Sequence, residues 1–204
     1  MARSNFVVPH DGFRIRTRGR LPHWEQDNSL YFVTFRLKDS LPRHVVRELM
    51  EERKRLKERS YAVGHAFNIR YDRELDSAYG SCLLKHPTNA EIVANALEHF
   101  DGLRYELHAW CVMPNHVHVV FELQEGANLD RVLHSWKSFT AHQIGAGVIW
   151  QREYFDRLIR DEAEYLETCD YVETNPETAG LMAWSFSSAA GRRRASRRDA
   201  GAPL

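Results

Sequence analysis

Two histidines separated by a single residue, His116-Val117-His118, form the part of this sequence best equipped for chemistry. On an extended strand the side-chain period is two, so both imidazoles project to one face while Val117, Val119 and Phe121 project to the other. Two such imidazoles can share a metal ion, although the same spacing also arises from a pair of strand histidines that bind nothing. A second group lies on the run from Asp161 to Asn175, which reads as a helix. Tyr165, Cys169 and Val172 fall at i, i+4 and i+7 and make its apolar stripe, which marks Tyr165 as structural. Tyr171 stands roughly 100° round the helix from that stripe, on a face with Glu164, Glu167, Thr168, Thr174 and Asn175. It therefore points somewhere polar, and Asn175 projects one turn on toward the same spot. Tyr154 is the rival tyrosine, with a packing role as its plainer reading. Asn115 and Gln151 have ordinary turn and surface explanations.

The elements that position these residues follow from local pattern. Tyr105–Met113 and His116–Leu123 are β-rich runs joined by Pro114-Asn115, a pair suited to the centre of a tight turn, so a hairpin is predicted. Tyr31–Leu37 predicts a strand with Tyr31, Val33, Phe35 and Leu37 on one face. Pro42 opens a charged helix to Ser60, whose stripe is Val45, Val46, Leu49, Met50 and Leu56. Residues 61–87 carry no clear pattern. A helix starts at Thr88, capped by that residue ahead of Glu91, with Ile92, Val93, Ala96 and Leu97 inward. Leu129–Ile144 predicts a helix and Ile149–Phe155 a short strand. The last helix has Asp161 as N-cap with Glu164 three residues on, and ends at Pro176 and Gly180. Helices around an antiparallel hairpin imply an α+β domain.

The chain has 204 residues, 43% hydrophobic and 27% charged, enough for one sizeable core and not the composition of a disordered protein. There is no internal repeat. No apolar run approaches the roughly 18 residues needed to cross a bilayer, and the N-terminus lacks a signal-peptide apolar segment, so the expected location is the cytoplasm and no membrane partner is expected. Three scattered cysteines, Cys82, Cys111 and Cys169, suggest neither disulfides nor a cysteine zinc site. Net charge is zero, but residues 1–20 and 192–204 each carry five arginines against one aspartate, so each end is +4 and the body between them −8. Two basic arms suit a polyanion, because each arginine placed on a phosphate releases a counterion. The predicted organisation is a basic arm (1–21), a catalytic domain (22–190) and a basic disordered tail (191–204).

The run Trp110-Cys111-Val112-Met113-Pro114-Asn115-His116-Val117-His118-Val119-Val120 resembles the His-hydrophobic-His (HUH) signature of the tyrosine transposases, in the branch associated with repetitive extragenic palindromes (REP). The resemblance extends in register over roughly residues 22–190. Tyr31–Leu37 is similar to that family's first strand, Trp136-Lys137-Ser138-Phe139-Thr140 to its middle helix, and Trp150–Arg160 to a typical stretch. Asp170-Tyr171-Val172-Glu173-Thr174-Asn175-Pro176, Ala179-Gly180-Leu181 and Trp184-Ser185-Phe186-Ser187-Ser188 complete the pattern.

The resemblance implies a ferredoxin-like fold and a transposase that is a single-strand DNA endonuclease and strand transferase. In it two histidines hold a divalent metal, here His116 and His118, and one tyrosine attacks the phosphodiester. The family's nucleophile falls at Tyr171, and Asn175 is the candidate third ligand. A phenol with a reference pKa of about 10 is a poor nucleophile until its proton is lost or its target is polarised. Two neutral imidazoles and an amide oxygen leave positions for phosphate oxygens and water, which suits Mg²⁺ or Mn²⁺ better than zinc. Attack by Tyr171 gives a 5′-phosphotyrosine and a free 3′-OH. Lys137, Arg157, Arg160, Arg192, Arg193 and Arg194 are candidate phosphate contacts, though the first three read equally as solvated helix charges. The implied partner is single-stranded or hairpin DNA, with the protein nucleoid-associated; monomer and homodimer both stay open. The alternatives are a non-catalytic hairpin-binding regulator and an HUH replication or conjugation initiator. The lack of a second tyrosine near Tyr171 disfavours the initiator.

Overall fold

In the computed structural model, which describes residues 14–18, 21–25, 29–56, 70–181 and 184–188, the described chain runs in order through six strands and five α-helices, with a single 3₁₀ turn at Leu83–Lys85. They are β1 (Arg14–Arg18), β2 (Leu21–Glu25), β3 (Leu30–Arg36), α1 (Arg43–Leu56), α2 (70–76), α3 (Pro87–Glu98), β4 (Tyr105–Val112), β5 (His116–Leu123), α4 (Leu129–Ile144), β6 (Phe155–Leu158) and α5 (Glu162–Thr178). β3 to β6 form one antiparallel sheet in the order β4-β5-β3-β6. With helices between β3 and β4 and between β5 and β6, this is the split βαβ arrangement of ferredoxin-like α+β folds. β1 and β2 pair separately as an antiparallel ribbon, so the boundary drawn at residue 21 falls at the start of its second strand. The remainder of the basic arm and the 191–204 tail, with Arg192, Arg193 and Arg194, lie outside the described residues.

Helices cover both faces of the sheet, so every position of β3 is buried rather than every second one. Tyr31, Val33, Phe35 and Leu37 do share a face, joined by Val117, Val119 and Phe121 and covered by α3 and α4 through Val93, Leu97, Val132 and Trp136. The opposite face, with Leu30, Phe32, Cys111 and Val120, is covered by α5 through Val172. The two histidines are on this second face. α1 and α2 pack on each other through Leu41, Val45, Leu49 and Leu75, and Arg70 pairs with Glu48 and Glu52 across them. Residues 184–188 lie along the edge of β4, where Val112 donates to Phe186 O at 2.9 Å, closing an otherwise unpaired strand edge.

Several predicted boundaries are corrected. Met50 is 46% exposed and does not belong to the α1 stripe. Helix α1 is described to Leu56, and 57–60 lie outside the described residues. α3 begins at Pro87 with His86 as N-cap and no side-chain cap, so Thr88 sits in its first turn, where proline's preset φ starts the helix. Of the strand predicted at Ile149–Phe155 only a bridge forms at its start, Trp150 beside Leu37 with Lys38 N donating to Ile149 O and Gln151 N to Arg36 O, both at 2.9 Å; the strand proper is Phe155–Leu158, and between the two the carbonyls of Gln151 and Arg152 accept from Lys137 Nζ at 2.6 and 2.9 Å. α5 continues through Pro176 to Thr178, since a proline this close to the C-terminus removes only one late hydrogen bond. Its predicted start is as observed, with the Asp161 carboxylate accepting from Glu164 N at 2.8 Å.

Candidate metal and nucleophile site

β5 enters the sheet from a two-residue turn in which Met113 N donates to His116 O at 2.8 Å, setting the register that aims His116 and His118 at the α5 face. Both side chains are fully buried. Their Nε2 atoms lie 3.0 Å apart and so face the same small space. The other ring nitrogens are held from outside. His116 Nδ1 meets Asn115 Oδ1 at 2.7 Å, and His118 Nδ1 meets Thr34 Oγ1 at 2.8 Å. The Asn115 amide nitrogen donates to Leu75 O and Tyr79 O, at 3.2 and 3.1 Å, so its oxygen is the end that faces His116 and accepts from Nδ1–H. That fixes the His116 tautomer with a lone pair on Nε2. Thr34 can donate or accept and serves either tautomer of His118. Burial pushes the pKa of His116 well below the usual imidazole value and that of His118 to about 3, so both rings are neutral at physiological pH.

Asn115 was not expected to do more than make a turn. It ties the histidine strand to the C-terminal end of α2, where Gly80 at φ +86° brings the chain against Asp39, too close for a Cβ. Replacing Asn115 with alanine is expected to leave buried carbonyls and His116 Nδ1 unsatisfied and to lower stability by about 2 kcal/mol. Urea unfolding checks this, and an unchanged midpoint would contradict the bridging role.

Part of the polar face of α5 turns inward to the histidine side of the sheet, while Glu167 and Thr174 stay exposed. Thr168 and Asn175 are buried and Tyr171 is half-buried, its ring edge-on to His118 at 5.5 Å between centroids and to Phe32 at 6.3 Å. Asn175 Nδ2 donates to the Tyr171 hydroxyl at 3.1 Å. Burial, followed by the nearby charges of Asp72 and Asp76, pushes the Tyr171 phenol well above its ordinary value. The other two tyrosines are committed elsewhere. Tyr165 meets His108 Nδ1 at 3.0 Å, and Tyr154 packs in the core on the α3/α4 face and donates to Asp130 at 2.7 Å.

Asp72 and Asp76 come from α2, inside the 61–87 stretch whose sequence showed no pattern. The Asp72 side chain is buried near Tyr171, and burial raises its pKa to about 7. Asp76 Oδ1 approaches His116 Nε2 to 3.7 Å, and burial raises the Asp76 pKa to about 6. Because the folded Asp72 pKa lies above its unfolded value of 3.8, stability present below pH 4 is lost as pH rises to about 7. Three units correspond to on the order of 4 kcal/mol. In chelator, Asp72→Asn is therefore expected to melt above the native chain at pH 8 and to lose most of that advantage at pH 4. A pH-independent difference would contradict it.

The buried space holds more acceptors than donors. Asp76 Oδ1 and Asn175 Oδ1 are buried without a hydrogen-bond partner, and His116 Nε2 offers a lone pair beside them. Such a surplus suits a hard divalent cation, and two imidazole nitrogens with an amide oxygen are a donor set that fits Mg²⁺ or Mn²⁺. Among the described residues no group of three or more His, Cys, Asp and Glu makes a ligand set by itself.

The candidate phosphate contacts are placed differently from one another. Lys137 is half-buried with its ammonium spent on the two loop carbonyls, and burial lowers its pKa to about 8. Arg157 stacks over Phe32 and pairs with Glu164 and Thr168. Arg160 is exposed at the start of α5. The reading of Lys137 and Arg157 as solvated helix charges is thus corrected: both are internal ties, used to hold the loop and α5.

Comparison with known proteins agrees with this arrangement. Residues 79–175 match the family described as "Transposase IS200 like". A REP-associated tyrosine transposase of Escherichia coli K12 is 34% identical over 92 residues, covering 41% of this chain and 54% of that protein. A putative REP-associated tyrosine transposase of Haemophilus influenzae is 26% identical over 103 residues, covering 41% and 58%. The chain thus spans a little over half the length of these relatives. A solved REP-associated tyrosine transposase, bound in that structure to a REP hairpin, matches with a TM-score of 0.57 and 21% identity over 84% of this chain and 82% of the other, which is a likeness of fold. The segment 79–175, which contains His116, His118, Tyr171 and Asn175, is thus similar to the IS200-like transposases, and the named relatives that the chain resembles are REP-associated tyrosine transposases.

Proposed function

We propose that the protein is a metal-dependent single-strand DNA endonuclease and strand transferase acting on hairpin-bearing DNA, with Tyr171 as nucleophile. The observation that carries this is the convergence of Tyr171, Asn175 and the histidine pair, contributed by two distant elements, on one buried polar space beneath α5. His116, His118 and Asn175 would hold the cation. When bound, it would supply a positive charge that polarises the scissile phosphate and offsets the negative charge of the transition state. The chain does the rest. Asn115 and Thr34 keep the imidazoles oriented, while the His118 and Phe32 rings hold the Tyr171 ring edge-on. The Tyr171 oxygen bonds to phosphorus as the P–O bond to the 3′ oxygen breaks. That leaves a 5′-phosphotyrosine and a 3′-OH, and the phosphodiester energy is kept for rejoining. Hairpin DNA is the substrate class because the similar solved transposase is described with one.

A doubly end-labelled single strand carrying a hairpin, incubated with the protein and Mn²⁺, tests the reading. A free 3′-OH fragment is expected together with a 5′ fragment retained on protein. Tight binding without a cut would favour the non-catalytic regulator, which has the same binding surface. No helix among the described residues is long and apolar enough to cross a membrane.

A further inference from the structure

Asp76 stands at the end of α2, just before the segment similar to the transposases, and its Oδ1 is buried without a hydrogen-bond partner although the side chain as a whole is partly exposed. We infer that Asp76 is a direct ligand of the divalent cation, standing on the His116 side of the set and supplying its one negative charge. The inference rests on the reading of His116, His118 and Asn175 as cation ligands. Three features of the structure support it.

The first is distance. Asp76 Oδ1 lies 3.7 Å from His116 Nε2, too far for a hydrogen bond, and the tautomer set by Asn115 leaves that nitrogen with a lone pair and no proton. Two acceptors that face each other at this separation repel unless a positive charge lies between them. Donors about 2.1 Å from one octahedral cation are about 3.0 Å apart when adjacent and about 4.2 Å apart when opposite. The two Nε2 atoms, 3.0 Å apart, match an adjacent pair, and the 3.7 Å approach of Asp76 falls between the two limits. The histidines and Asp76 are not a closed set by themselves; Asp76 enters as one member of a mixed set with the Asn175 amide, whose Oδ1 is likewise buried and unpartnered. The second is charge. Two imidazoles and an amide are neutral, whereas protein sites for Mg²⁺ usually engage one or two carboxylates. With Asp76 one negative charge stands against the two positive charges of the cation, and a phosphodiester brings the other. Without it a divalent charge would be held in a buried space by neutral ligands alone. The third is positioning. The Asn115 side chain that orients His116 also donates to Leu75 O and Tyr79 O, at 3.2 and 3.1 Å, on either side of Asp76 in the chain. Leu75 is itself fully buried against Leu41, Val45 and Leu49. One amide thus holds the histidine and the carboxylate in a fixed relation.

The test uses the full chain without DNA, so that it reads the cation and not turnover. Mn²⁺ affinity is measured by calorimetric titration, with melting in chelator to separate a folding defect from a lost ligand. Asp76→Ala and the isosteric Asp76→Asn are each expected to weaken Mn²⁺ binding at least about tenfold, and His116→Ala serves as the control for loss of a histidine ligand. Coordination itself is read in Asp76→Cys, where a thiolate takes the place of the carboxylate. With Cd²⁺ a thiolate-to-cadmium ultraviolet band is expected beyond any shown by the native chain, which holds the same three other cysteines. The band should vanish when His116→Ala is added. Should Asp76→Ala fold poorly, the Asn and Cys variants give the same two readings. Native Mn²⁺ affinity in the Ala or Asn variant, a Cys variant without the band, or a band that survives His116→Ala overturns the ligand assignment and leaves the histidine site standing. A native chain that binds no Mn²⁺, or binds it as well after His116→Ala, overturns the metal reading and the inference with it.

Discussion

Tyr171→Phe is expected to reduce covalent capture of DNA by at least about a thousandfold while leaving hairpin binding nearly intact. The change removes one oxygen. The ring stays, and with it the edge contacts to His118 and Phe32 that seat α5 on the sheet. What is lost is the proposed nucleophilic oxygen and its bond to Asn175, at a stability cost of about 1 kcal/mol. Neither rival tyrosine can substitute. Tyr154 lies in the core on the opposite face of the sheet, its hydroxyl bonded to Asp130, and Tyr165 is engaged with His108. Gel capture of labelled DNA on denatured protein measures the effect, and an adduct of undiminished yield in the variant would end the assignment.

The histidines carry the second large effect. His116→Ala and His118→Ala are each expected to suppress divalent-ion-dependent cleavage at least a hundredfold, while Asn175→Ala lowers it less, since an amide oxygen is a weaker ligand than imidazole. The mutations also orphan fixed partners. Without His116 the oxygen of Asn115 loses its donor, and without His118 the Thr34 hydroxyl loses its ring nitrogen, both in buried surroundings. Calorimetric titration with Mn²⁺ separates the two consequences, because loss of a ligand weakens cation binding whereas a folding defect lowers the melting temperature. Full cleavage by the native chain in excess chelator would contradict a metal mechanism outright.

How much of this could be read from the chain differs from residue to residue. The histidine pair was legible because a strand has a period of two and Pro114-Asn115 announces the turn that sets its register. Tyr171 and Asn175 were legible as a polar face of a helix with a clear N-cap. What that face met was not, because Thr168 and Asn175 are buried against the sheet and not solvated. Asp72 and Asp76 escaped notice for a related reason. They sit on a short helix in a stretch rich in charge, and what brings them to the site is a set of long-range ties, from Asn115 to the carbonyls of Leu75 and Tyr79 and from Ser81 N to Asp39. No periodicity within 61–87 encodes those partners. Lys137 and Arg157 mislead in the opposite sense, since a basic residue on a predicted helix gives no sign that loop carbonyls or a glutamate will claim it.

The central claim is that one particular oxygen of this chain becomes bonded to DNA. Native protein is incubated with a hairpin-bearing single strand and Mn²⁺, the adduct is digested with protease and nuclease, and the nucleotide-bearing peptide is sequenced by mass spectrometry. A single modified peptide is expected, carrying a 5′-linked nucleotide on Tyr171. A modification on Tyr154 or Tyr165, a 3′ linkage, or cleavage that leaves no peptide modified would contradict the account.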